Sequence, residues 1–213
     1  MNLKSESMKI SKSTFELERR RLNWKLVVKD KVASHFEEFA ASAKNSGYPF
    51  LLTCRVNEVY ENLESIQITS ESNYTGITKS LDNGGSKHDF ETGAGLVFSL
   101  TPQGNVAIQI RPYRSEWLSR TEENIVIKHD LSPDDITENL IRKYLRIFLL
   151  YIRASSVYGT YGTKKYEYYR VKYFSFFDIR NWKEILNLCI STFNQWALMF
   201  ISALLGVILA KFY

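Results

Sequence analysis

Within the eleven residues IRPYRSEWLSR (110–120) the chain places Arg111, Tyr113, Arg114, Trp117 and Arg120. Guanidinium groups make charge-assisted, bidentate hydrogen bonds to carboxylates and phosphates, and aromatic rings stack on flat ligands. These five residues are therefore the candidate ligand-binding site, suited to an anionic, stackable ligand such as a nucleotide. The same residue types build protein interfaces, and a strand-end loop with solvated arginines needs no ligand at all.

A second cationic set is spread along a helix. Arg142, Lys143, Arg146 and Arg153 occupy one 100° arc of a helix predicted over 132–157, and Ile141, Leu145, Phe148, Leu149 and Ile152 cover much of the rest. The plain reading is a core helix with one solvated basic face. The functional readings are a face resting on anionic lipid, or one that takes a phosphate-bearing ligand. Residues 140–183 carry ten Lys or Arg against two acids, so the net +5 of the chain is concentrated there.

Catalytic chemistry leaves little trace. The three histidines are His35, His88 and His129. His88-Asp89 and His129-Asp130 are dipeptides of the kind metal phosphohydrolases place on helices, whereas these fall in a predicted loop and at a strand end. Walker A, nucleophile-elbow, H-E-x-x-H and paired C-x-x-C patterns are absent. TGAG (92–95) follows a glycine-rich stretch but leads into a strand, not a helix. Cys54 reads as a core residue, and two cysteines are too few for a disulfide framework. No catalytic residue, metal or cofactor is assigned.

The segment 185–210 holds 26 residues without a formal charge. As a helix it would be about 39 Å long, against a hydrocarbon core of about 30 Å. It predicts a single C-terminal transmembrane helix within 181–213, a tail anchor, with the basic flank placing the preceding domain in the cytoplasm. Asn187, Ser191, Asn194, Gln195 and Ser202 project onto one arc of that helix. Ser202, Gly206 and Ala210 add a small-residue series, a face for packing against a second copy.

Stepping outward, the pattern predicts a helix over 14–44 opened by a Ser13/Glu16 capping box and stopped by NSGYP (45–49). Short strands follow at 49–57 and 65–71, then a loop over 75–95. A hairpin spans 96–100 and 106–110 around TPQGN, and another strand lies at 123–129. The helix over 132–157 has Ser132 as cap and Pro133 at its first position. The tyrosine-rich 166–176 reads as a last strand. The fold class is α+β: a long N-terminal helix, a small mostly antiparallel sheet with a hairpin, a second long helix, then the transmembrane helix. The domains are 1–180 and 181–213.

The functional expectation is a non-enzymatic, membrane-anchored sensor or effector. Its cytoplasmic domain binds a nucleotide or protein ligand, and its span self-associates as a homo-oligomer that could disrupt the membrane. The plan is similar to that of bacterial defence and cell-death effectors, by analogy of architecture alone. The alternatives are a membrane-tethered adaptor, and an enzyme acting on a nucleotide or lipid head group through His88 or His129. Nucleic acid is not an expected partner.

Overall fold

The computed structural model describes residues 3–115, 124–159, 162, 164–176, 186–187, 189–196 and 199, with backbone only at 168, 171–172 and 174–176. The chain opens with helix α1 (Leu3–Asn23), passes through a π-turn (Trp24–Val28) and continues as α2 (Lys29–Asn45). Trp24, Val28, Val32 and Phe36 are all buried. They recur every four residues, which on a regular α-helix would drift about 40° per step. The wider π-turn offsets that drift and keeps the four on one face. The capping box at Ser13 is not used, because α1 starts ten residues earlier and Thr14 Oγ1 donates to Ile10 O within the helix.

The end of α2 is as the sequence predicts. Gly47, at φ +69°, lets its own N–H donate to Lys44 O while Tyr48 N–H donates to Ala43 O. Those are the two bonds of a Schellman motif. Seven strands follow: β1 (Leu52–Asn57), β2 (Ser65–Ser70), β3 (Asn73–Ser80), β4 (Ser86–Glu91), β5 (Gly95–Leu100), β6 (Val106–Arg111) and β7 (Ile125–Leu131). Five make one antiparallel sheet in the order β1-β2-β5-β6-β7, and β3-β4 form a separate hairpin inserted between β2 and β5. The hairpin occupies the stretch expected to be a loop. Its strands are mostly solvent-exposed, so no apolar alternation announces them.

Alternation sorts the large sheet cleanly. Ile66, Ile68, Leu96, Phe98, Leu100, Val106, Ile108 and Ile110 point into the core. The helix α3 (Glu138–Ser155) lays Ile141, Tyr144, Leu145, Phe148 and Ile152 against that face, beside α2. Phe98 is the hinge pin, edge-on to Phe36 at 5.6 Å and to Tyr144 at 6.2 Å. Burying a side chain of this size contributes about 1.5–3 kcal/mol.

Ser132 does not cap α3. It caps a short 3-10 turn (Pro133–Asp135), and Thr137 takes the α3 cap, its hydroxyl accepting from Leu140 N. Asp134 is drawn instead toward α1. Arg19 donates to both of its carboxylate oxygens at 3.2 and 2.6 Å, and Asn23 Nδ2 donates at 2.5 Å. The last predicted strand is a helix, α4 (Lys165–Phe176). The strand preference of tyrosine is weak and depends on context, and it is overridden here.

The single-pass, tail-anchored expectation is corrected. Among the described residues no helix is long and apolar enough to cross a membrane. The described helical positions beyond α4 include Asn187, Ser191, Thr192, Asn194 and Gln195, so the segment is uncharged without being continuously apolar. Each amide or hydroxyl costs free energy in hydrocarbon. The transmembrane helix of the predicted fold class therefore falls. So do the membrane localisation with a cytoplasmic domain and the membrane-anchored effector built on it. Ser202, Gly206 and Ala210 lie outside the described residues.

Candidate functional site

Of the predicted arginine–aromatic cluster, the described members Arg111, Tyr113 and Arg114 separate in the fold. Arg111 ends β6 on the sheet face opposite the helices. Tyr113 turns the other way and is fully buried. Its hydroxyl meets Ser70 Oγ, accepts from Asn73 Nδ2 at 2.9 Å, and its ring packs 5.8 Å from Phe50. Burial pushes its phenol up to about 12, against hydrogen bonds from Ser70 and Asn73 that pull the other way. Tyr113 is part of the hydrophobic core. Arg114 is exposed, bridges by its backbone to Thr92, and donates from Nη2 to Asn124 Oδ1 at 2.9 Å. Trp117 and Arg120 lie outside the described residues.

Around Arg111 a different site forms. Strand register lines up Thr53, Thr69, Gly95 and Arg111 in one row across β1, β2, β5 and β6. The next row is Arg55, Gln67, Val97 and Gln109. Among the described residues no helix covers this face where it forms a groove of about 480 Å³ lined by Thr53, Arg55, Gln67, Thr69 and Arg111, with exposed Glu71 among its lining residues. The Arg111 side chain lies over Gly95, where a Cβ would stand 3.0 Å from Nη2 and 3.2 Å from Nε. Its Nη2 donates to Gln67 Oε1 at 2.5 Å.

The electrostatics of Arg111 are unusual. Its Nε is buried with no hydrogen-bond partner, and among the described residues it forms no ion pair. Burial, and secondarily the like charge of Arg114, lower its affinity for its proton. Arg55, across from Gln67 and also without an ion pair among the described residues, adds a second positive charge. A planar fork with unfilled donors, beside hydroxyls and an amide, is equipped to hold an oxyanion. Sequence reading found Arg111 but missed Arg55, Gln67, Thr53 and Thr69. Only their alternation with buried residues in β1 and β2 marks them, and that alternation says no more than that they face away from the core.

The basic residues of α3 divide as well. Arg142 pairs with Glu138 at 3.7 Å, and Lys143 Nζ lies 5.8 Å from the Tyr144 ring. Arg146 is exposed, and Arg153 pairs with Glu167 of α4. Asn187, Ser191, Asn194 and Gln195 are helical and exposed.

Among the described residues no three His, Cys, Asp or Glu side chains gather as a metal site. His88 belongs to β4, 2.9 Å from Thr78 Oγ1, and His129 to β7, 3.1 Å from Asp130. Burial raises the Cys54 thiol to about 11, which leaves it a poor nucleophile at neutral pH. Comparison with protein-family models, with curated proteins and with solved structures found no match.

Proposed function

We propose that the protein is a binding module whose open sheet face holds an oxyanion, a phosphate or carboxylate group, on Arg111 and Arg55. One observation carries the reading: the Arg111 guanidinium is half-buried, donates to the neutral amide of Gln67, and leaves Nε unfilled. An unfilled buried donor costs about 1–3 kcal/mol, and a partly desolvated charge adds to that. An anion in the groove, meeting the outer edge of the guanidinium, would offset that charge. The lining of hydroxyls, an amide and two guanidinium groups supports binding over catalysis, since among the described residues Glu71 is its lone carboxylate and it holds neither His nor Cys.

The surface row contains no aromatic side chain, which argues against the base-stacking mode by which open sheets read single-stranded RNA.

The test is titration of the full chain with inorganic phosphate and with malonate, followed by calorimetry and melting temperature, against chloride at matched ionic strength. Stabilisation beyond that given by chloride is expected, and Arg111→Gln should lose it while Arg114→Gln keeps it. Equal shifts in all three salts, or an Arg111→Gln protein that binds as the parent does, would overturn the reading.

A further inference from the structure

A second groove, of about 540 Å³, runs between α3 and α4 on the far side of the core from the sheet face. Among the described residues its polar wall carries Lys143, Arg146, Arg153 and Arg170 against a single acid, Glu167. That acid is already committed. Its Oε1 accepts from Arg153 Nη2, and its Oε2 accepts from the Lys164 backbone N–H at 3.0 Å. Among the described residues Arg146 and Arg170 form no ion pair, and Arg153 Nε is buried without a partner. The floor is different in kind. Ile147 is buried, Leu149 and Leu150 are half-buried, and the exposed Tyr166 ring stands in the wall.

Charge on one side and an apolar floor with an aromatic ring on the other select for a ligand that is itself divided. It needs two or more negative charges for the cations and a flat, weakly polar body for the leucines and Tyr166. The cavity has the size of an ordinary small-molecule site. We propose that the α3–α4 groove binds a nucleoside di- or triphosphate, with Lys143, Arg146 and Arg170 on the phosphates and Tyr166 against the base. This site is independent of the sheet face. The pairing of cations with aromatic rings that the sequence suggests at 110–120 is thus assembled elsewhere, from residues 143 to 170. A long nucleic acid fits less well, because the cations converge on one groove instead of following a backbone track.

The experiment uses the full chain, calorimetry at physiological salt, and four probes: ADP, pyrophosphate, adenosine and a single-stranded poly(A) dodecamer. ADP should bind saturably and at least tenfold more tightly than pyrophosphate or adenosine. Lys143→Gln combined with Arg146→Gln should weaken ADP at least tenfold, and Lys79→Gln, exposed in β3 and outside both grooves, should leave it unchanged. Tyr166→Ala should bring ADP down toward pyrophosphate while sparing pyrophosphate itself. Circular dichroism of each variant checks that the fold is kept. No saturable binding of ADP at millimolar concentration would overturn the proposal. So would tighter binding of the dodecamer, ADP affinity no better than that of pyrophosphate, or loss of ADP binding in Lys79→Gln alone.

Discussion

Gly95 stands directly across the β5–β6 ladder from Arg111, and the Arg111 guanidinium occupies the space a Gly95 side chain would need. Glycine in mid-sheet is normally a weakness, and its use here marks close approach of another group. Its backbone is not in the left-handed region, so alanine meets no conformational objection. Gly95→Ala should therefore fold with stability within about 1 kcal/mol of the parent. The new methyl would push Nη2 and Nε off their perch and move the fork from Gln67. Phosphate-dependent stabilisation measured by melting temperature should fall, and an unchanged phosphate response would show that the perch is immaterial.

Arg111→Met makes the opposite kind of prediction. Its methylene stem packs on the sheet, while the head leaves an unfilled buried donor. Methionine keeps the stem and removes the charge, so in phosphate-free buffer the variant should be more stable, by about 1 kcal/mol or a few degrees in melting temperature. A residue that costs stability without ligand is what a functional position often looks like. If the variant is clearly less stable than the parent in that buffer, Arg111 is simply structural.

How much of this was legible depends on what each element buries. The stop of α2 at Gly47, the β5–β6 hairpin and the core face of α3 all follow from apolar spacing and turn chemistry, and all are present. The β3–β4 hairpin was missed because Asn73–Ser80 buries almost nothing, so its pairing leaves no pattern in side-chain polarity. Asp134 pairs with Arg19, 115 positions away, and no local rule could supply that partner. In the same way Arg111 was legible as a cation, whereas its row with Thr53, Thr69 and Gly95 exists only once strand register is known. The transmembrane expectation failed for a simpler reason: absence of charge was weighed above the amides and hydroxyls in the same segment.

Acid should loosen the attachment of α1. Hydrogen bonding to Arg19, above all, holds the Asp134 carboxyl down at about 2, and Arg19 with Arg20 holds Glu16 at about 2. Both values are depressed, so the stabilisation is present above the ordinary carboxylate range near 4 and is lost as pH falls from about 4 to about 2. The groups are exposed, so the effect is small and screened by salt. Melting temperature at pH 5 minus that at pH 2.5 should be larger for the parent than for Asp134→Asn in low salt. The two proteins should converge in about 0.5 M NaCl. A difference that salt does not reduce would mean Asp134 acts within its own 3-10 turn, where Ser132 Oγ donates to it, and not through Arg19.

At the alkaline end the informative residue is Tyr113. Its folded value of about 12 lies above the ordinary value near 10, chiefly through burial. The neutral phenol is the form the fold favours, so this contribution is complete below pH 10 and is lost as pH rises from about 10 to about 12. Burial also raises Tyr48 and Tyr144, which share in the alkaline loss. Tyr113→Phe cannot ionise, yet it deprives Ser70 and Asn73 of a hydrogen-bond partner in a buried setting. At pH 8 that should cost about 1–2 kcal/mol. Urea midpoints should then draw together as pH climbs, with the phenylalanine variant matching the parent near pH 11.5. Phenolate absorbance should show one tyrosine fewer among the late-titrating group. If the gap between the two proteins stays constant from pH 8 to 11.5, Tyr113 ionises no later than a solvated tyrosine, and its place in the core counts through packing alone.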